Sequence, residues 1–237
     1  MHNAPTLTPR LQKIADLITP CRCVADIGTD HAYLPVYLCA KNICKTAVAS
    51  DIRPGPLERA QATICRYHME SRISARLGSG AQTLAPGEAD TLVIAGMGGL
   101  MIAEILKDGL AVCAKASRIL LQPMSSVPEL RTLLWENGFR IEEEYLAKEG
   151  EKLYHILSVL PGQEEPPNAL DIFLGRRLAE TEPVYFEEYL AAQRKKLEQK
   201  IRGIEQSKNQ DAVQELEATR ALLTALEAQA TAKEEEE

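Results

Sequence analysis

One acid-and-glycine turn near the N-terminus constrains this chain more than any other feature. The apolar run Cys23-Val24-Ala25 has the length and composition of a buried strand. It ends at Asp26-Ile27-Gly28, and Tyr33–Lys41 reads as a helix. Gly28 has no Cβ, so the backbone can turn sharply there and another group can lie close against it. Asp26 places a carboxylate just before the turn. The nicotinamide-type spacing G-x-G-x-x-G is absent, because Asp30 and Tyr33 stand at its later positions.

Strand and helix signals then alternate. Thr8-Pro9 followed by Leu11, Ile14, Ala15, Leu17 and Ile18 reads as a capped helix, Thr8 as N-cap and Pro9 as its first residue. Strands are predicted over Cys23–Ile27, Thr46–Ser50, Ile73–Leu77, Thr91–Ala95 and Ser117–Leu121. Helices are predicted over Ala32–Lys41, Pro56–Glu70, Met97–Lys107 and Val127–Asn137, the last closed by Gly138. Arg140–Ala147 and Lys152–Leu160, linked through Gly150, read as an antiparallel hairpin. Five β/α steps and a terminal hairpin predict an α/β fold: an open, mostly parallel, Rossmann-like sheet with helices on both faces.

Pro161, Gly162, Pro166 and Pro167 interrupt this pattern. Beyond them, Phe186, Leu190, Leu197, Ile201 and Ile204, then Val213, Leu216, Leu223, Leu226 and Ala230, recur at helical spacing. They predict two antiparallel helices paired as a short coiled coil, separated by Lys208-Asn209-Gln210-Asp211. The chain therefore divides into an α/β domain over 1–162, a helical domain over 163–232 and an acidic, disordered tail over 233–237. Charge follows the same division. Residues 1–160 carry 17 basic and 17 acidic side chains, whereas 161–237 carry 10 and 17, which accounts for the net charge of −7. A neutral α/β domain can still present one basic face to a polyanion. No apolar run reaches the ~20 residues of a membrane span, and the N-terminus lacks the apolar core of a secretory signal, so a cytoplasmic location away from membranes is expected. Six cysteines without a C-x-x-C pair, and four histidines without paired spacing, predict reduced thiols and no metal.

The remaining motifs fall where strands of such a sheet end. Asp51 closes the second strand, where an acid either accepts hydrogen bonds from ribose hydroxyls or caps the next helix. Gly78-Ser79-Gly80 follows the third strand and reads either as a binding loop or as a plain turn. Gly96-Met97-Gly98-Gly99 follows the fourth and permits close approach to the backbone, by a ligand or by packed elements. Gln122, followed by Pro123, comes after the fifth strand with one amide donor and one acceptor, either facing a ligand or as an ordinary loop residue.

Three of these stretches taken in series, Asp26-Ile27-Gly28-Thr29-Asp30-His31-Ala32-Tyr33-Leu34-Pro35, Ile94-Ala95-Gly96-Met97-Gly98-Gly99 and Leu120-Leu121-Gln122-Pro123, resemble the bacterial tRNA (adenine-N1)-methyltransferases that act on adenosine 22. The resemblance covers nearly the whole chain, helical C-terminus included. It departs at Met124, where asparagine is expected, and at Ser79, where methyltransferases often carry an acid. It implies S-adenosylmethionine as cofactor, S-adenosylhomocysteine as product, and tRNA as the macromolecule bound. A monomer with no obligate protein partner is expected. Cofactor contacts are then expected at Asp26, Gly28, Thr29, His31, Asp51, Ile52, Ser79, Gly80, Ala95, Gly96 and Met97. Asp26 would hold water or the ammonium of the methionine moiety.

Catalytic roles would fall to Asp30, Tyr33 and Gln122. Methylating N1 makes the adenine ring cationic, and a carboxylate such as Asp30 either stabilises that charge or takes a proton from the exocyclic amine. Its alternative role is to cap the helix at Tyr33. Tyr33 would stack on the base or belong to the core. Substrate contacts would come from Arg10, Lys13, Gly98, Gly99, Pro123 and the basic run Arg194, Lys195 and Lys196, although charges of this kind also line solvated helix faces. Two other readings share the cofactor site: a methyltransferase for small molecules or proteins, and a non-catalytic S-adenosylmethionine-binding protein.

Overall fold

The computed structural model describes residues 4–206 and 213–234. The chain divides into two compact units, Met1–Glu165 and Pro166–Glu237.

The first unit opens with α1 (Pro9–Asp16), whose N-cap is Thr8 and whose first residue is Pro9. Then come β1 (Cys21–Ile27), α2 (Tyr33–Ala40), β2 (Cys44–Asp51), α3 (Pro54–Arg66), β3 (Ile73–Leu77) and a single 3-10 turn at Gly80–Thr83. The second half holds β4 (Thr91–Gly98), α4 (Gly99–Asp108), α5 (Leu110–Cys113), β5 (Arg118–Ser125), α6 (Val127–Glu136), β6 (Phe139–Glu149) and β7 (Lys152–Pro161). The seven strands lie in the order β3-β2-β1-β4-β5-β7-β6. The first five are parallel, and β7 runs antiparallel to both β5 and β6.

The sheet is buried on both faces, which explains why its central strands are continuously apolar. Side chains alternate across it with the period of two that a strand imposes. Val24, Val93 and Leu120 join Ile14, Leu34, Leu38 and Ile64 on the face covered by α1, α2 and α3. Leu92, Ile94, Ile119 and Leu121 join Ile102, Leu106, Leu130 and Leu134 on the face covered by α4 and α6. Connections reverse direction between β1 and β4, the place where open sheets of this kind bind ligands. On the hairpin side, Arg131 of α6 forms a buried ion pair with Glu144 of β6, Nη2 to Oε2 at 2.6 Å, with His155 Nδ1 3.4 Å from the same nitrogen.

Two expectations are corrected and one alternative is set aside. The helix placed at Met97–Lys107 starts at Gly99, because β4 continues through Gly96 and Met97 to Gly98, pairing irregularly with Pro123 and Ser125. The fifth strand likewise runs past Leu121 to Ser125, so Gln122, Pro123 and Met124 belong to it rather than to a loop. The cap of α2 is Ala32, in the left-handed region at φ 53°, and not Asp30.

In the second unit Asn168 and Asp171 form a reciprocal capping box at the start of α7 (Ala169–Leu174). After α8 (Leu178–Thr181) come the two long helices α9 (Pro183–Gln206) and α10 (Val213–Glu234). They run antiparallel, joined by ion pairs Arg194–Glu227, Lys200–Glu215 and Arg220–Glu205 at 3.0, 2.9 and 2.6 Å. The separator expected at Lys208–Asp211 lies outside the described residues. α10 takes in two residues, Lys233 and Glu234, of the tail expected over 233–237. The last three lie outside the described residues.

Candidate active site

The turn after β1 is held by its own backbone. The N–H groups of Gly28 and Thr29 both donate to the Ser50 carbonyl of β2, at 2.7 and 2.8 Å. Gly28 adopts φ +80°, which favours glycine. A Cβ there would also come within 1.8 Å of the Met97 methyl, the end of a flexible side chain that rests on the bare Cα. Thr29 Oγ1 accepts the Ala32 N–H at 3.1 Å and closes the loop into α2.

These elements border a cleft of about 940 Å³ at the carboxyl ends of the parallel strands. Its volume is in the upper part of the roughly 300–1,000 Å³ usual for small-molecule and cofactor sites. Of the residues the sequence singled out, Arg10, Asp26, Gly28, Thr29, Asp30, His31, Tyr33, Asp51, Ile52, Ser79, Gly80, Ala95, Gly96, Met97 and Gly98 line it. Lys13, Gly99, Gln122 and Pro123 do not. Lys13 sits over the Tyr145 ring, 5.2 Å from its centroid. Gly99 is buried against the Ser125 and Ser126 carbonyls, where a Cβ would come within 2.5 Å, so it serves helix–strand packing. Arg194, Lys195 and Lys196 are exposed on α9 in the second unit, with Arg194 paired to Glu198 and Glu227.

Two carboxylates occupy opposite electrostatic settings. Asp26 is buried, and loss of water pushes its carboxyl up to about 6, with Asp51 adding to the rise and the Thr29 hydroxyl opposing it. Asp30 is exposed and pairs with Arg59 of α3, and this hydrogen bond holds it below the usual carboxylate range. His31 Nε2 lies 3.4 Å from the other Asp30 oxygen, and the His31 ring stacks on Tyr33 at 5.2 Å and 9°. That stacked pair leaves Tyr33 40% exposed at the mouth, so it is a surface platform and not core.

Asp51 does not cap α3, whose N-cap is Arg53. Its Oδ1 accepts the Arg53 N–H at 2.8 Å, and Oδ2 has no hydrogen bond among the described residues. Next to it Ile52 is an exposed apolar side chain on the cleft wall.

Gln122 is fully buried, and its amide is consumed internally. Oε1 accepts from Arg10 Nη1 and from the Gly96 N–H at 3.1 Å, while Nε2 donates to the Pro123 carbonyl at 2.9 Å. The amide of Gln122, expected to make a catalytic contact, is engaged within the protein in this structure and does not line the cleft. Sequence reasoning also missed one wall of the cleft. Met101, Glu104, Ile105 and Asp108 line it from a single face of α4, and the signal available was their three-and-four spacing after Gly99. Among the described residues no group of three or more His, Cys, Asp or Glu could hold a metal ion, and no helix is long and apolar enough to cross a membrane.

Known proteins are similar to this chain in sequence and fold. A methyltransferase-domain family matches residues 7–157. The tRNA (adenine(22)-N(1))-methyltransferase of Bacillus subtilis is 35% identical over 163 residues, covering 69% of this chain and 68% of that one. The crystal structure of the B. subtilis m1A22 tRNA methyltransferase superposes with a TM-score of 0.84 at 29% identity, over 94% of this chain and 98% of that one. A Streptococcus pneumoniae protein assigned as a tRNA (m1A22) methyltransferase, solved with S-adenosyl-L-methionine, gives 0.76 at 28% identity over 94% and 99%. By sequence and by fold alike, the chain belongs to the tRNA (adenine(22)-N1)-methyltransferase family.

Proposed function

We propose that this protein transfers a methyl group from S-adenosylmethionine to N1 of adenosine 22 in tRNA, with the cleft over the β1 turn as its active site. The observation that carries this reading is the pairing, in one cleft, of a cofactor-type turn with an ionised surface carboxylate beside an exposed aromatic pair.

The residues fit the cofactor. Asp51 keeps Oδ2 for ribose hydroxyls while Oδ1 holds its own loop. Ile52 offers an apolar face to the adenine. The buried Asp26 supplies the counter-charge for an ammonium. Ser79, where an acid is common, offers one hydroxyl beside Gly80. When bound, S-adenosylmethionine brings a methyl group on a sulfonium, ready for in-line displacement, so positioning by the protein supplies much of the acceleration.

On the substrate side, N1 lies on the Watson–Crick edge, so a paired adenine must leave its stack before it can react. The His31–Tyr33 pair is a flat surface on which such a base can stack. As the ring becomes cationic, Asp30 faces it as a carboxylate already ionised by Arg59. Its depressed affinity for protons suits charge stabilisation better than proton abstraction. Lys13, and Lys195 and Lys196 of the second unit, are the basic side chains offered to tRNA phosphate.

The test is to incubate the protein with labelled S-adenosylmethionine and unmodified tRNA, digest the RNA, and identify and map the methylated nucleoside. Labelled 1-methyladenosine at position 22 is expected. Label recovered only as N6-methyladenosine, or no labelled RNA, refutes the reading.

A further inference from the structure

Arg10 departs from the part its charge suggests. It belongs to α1, before the sheet begins, yet its guanidinium reaches the ends of β4 and β5. Nη1 donates to Gln122 Oε1 and lies 3.8 Å from the Met124 sulfur. The guanidinium carbon sits over the Tyr154 ring, 5.4 Å from its centroid, and the Arg10 backbone N–H donates to Glu149 Oε2 at 3.3 Å. Nε is buried and has no hydrogen-bond partner among the described residues. A buried donor left unpaired costs stability. A surface arginine meant for phosphate would keep that group in water.

The effect of Arg10 is felt at Gln122. A side-chain amide can sit either way round, and its neighbours decide which. Here two donors, Arg10 Nη1 and the Gly96 N–H, converge on one atom, so that atom must be the oxygen. Nε2 is then turned to the Pro123 carbonyl, with the Met124 sulfur 3.5 Å away. Reversing the amide would set NH2 against two donors. Gly96, at φ +78°, is part of the cleft lining, and its N–H bond to Gln122 ties it to β5 where the regular ladder between β4 and β5 is broken.

We propose that Arg10 is a positioning residue: by fixing the orientation of the buried Gln122 amide, it holds the Gly96 segment of the cleft rim where methyl transfer takes place. It acts through Gln122 and not on tRNA phosphate. This rests on the proposed tRNA methylation for its kinetic test but not for its structural one.

Five proteins are compared: wild type, Arg10→Ala, Gln122→Ala, the double variant, and Arg10→Lys as the conservative rescue. Each is checked for folding by thermal unfolding. In Arg10→Ala, kcat is expected to fall at least about tenfold while KM for tRNA changes less than about threefold. The double variant should lose no more than the worse single one, because both substitutions break one linkage. Arg10→Lys, which restores a donor to Oε1, should recover most of kcat. Amide exchange at Gly96, measured without any substrate, should quicken about tenfold in Arg10→Ala. A phosphate contact would give another pattern: KM raised, kcat unchanged, additive losses, and a shallower salt dependence of tRNA binding. That pattern, or unchanged exchange at Gly96, overturns the proposal. If wild type does not methylate tRNA but Gly96 exchange still quickens, the proposed function fails and the role of Arg10 stands.

Discussion

The methyl of Met97 rests directly on the backbone of Gly28, so closely that a Cβ on the glycine would come within 1.8 Å of it. Gly28→Ala therefore meets one main penalty, the φ of +80° that an L-residue tolerates poorly, worth about 1–2 kcal/mol, because the Met97 methyl ends a flexible side chain and can swing aside. Titration calorimetry with S-adenosylmethionine should show affinity reduced at least about tenfold. Adding Met97→Ala should restore little of the loss, because the backbone conformation required at residue 28 is unchanged.

Asp26 is expected to make cofactor binding depend on pH. An ammonium binds the ionised carboxylate, so affinity should be level above about pH 6 and fall about tenfold for each unit below it. Asp26→Asn should flatten that profile. Stability of the free protein responds in the opposite sense. Between the ordinary carboxylate value of 3.8 and about 6, the folded state holds a proton that the unfolded chain has released. The contribution of this group is thus largest at low pH and is lost as pH rises through 6. Urea unfolding of wild type and Asp26→Asn across that window measures the difference.

Arg59 governs the charge on Asp30. Arg59→Ala should move the acidic limb of the pH–rate profile upward, toward the ordinary carboxylate range, because the hydrogen bond that lowers the Asp30 value is gone. Asp30→Asn should lower kcat at all pH values by about a hundredfold or more, with cofactor affinity nearly unchanged, as expected for a group that acts on the transition state. Steady-state rates across pH with calorimetry alongside separate the two effects.

In the second unit the three neighbouring cations are not equivalent. Arg194 is engaged by Glu198 and Glu227, whereas Lys195 and Lys196 have no ion pair among the described residues. Replacing Lys195 and Lys196 with Ala should lower the slope of log tRNA affinity against log salt by about 1–2, whereas Arg194→Ala should leave it nearly unchanged. Equal effects from all three positions would remove this distinction.

The β1 turn was legible in the sequence because its determinants are local: an acid, a glycine and a change of hydrophobic period within a dozen residues. The ends of β4 and β5 were not. Met97-Gly98 and Gln122-Pro123 carry residues that strands usually avoid, and they stay in the sheet because each segment pairs with the other around the irregularity at Gly96. Gln122 looked like a free amide because the donor that occupies it, Arg10, lies 112 positions earlier in the chain. The helix run after Gly99 was recognised, but its cleft-facing carboxylates Glu104 and Asp108 were not, since spacing alone does not say which face of a helix borders a ligand. The buried Arg131–Glu144 pair was hidden for the same reason: composition marks both residues as surface groups.

The placing of β7 between β5 and β6 bears on how the molecule is made. A nascent chain emerges in sequence order, yet β7, the last strand to be synthesised, fills an interior position and β6 takes the edge. Until Pro161 has left the ribosome, β5 presents open pairing groups along Ile119, Leu120 and Leu121, whose partners are Val159, Ser158 and Leu157. The sheet can therefore be completed only once both strands of the hairpin are available, because β7 has β5 on one side and β6 on the other.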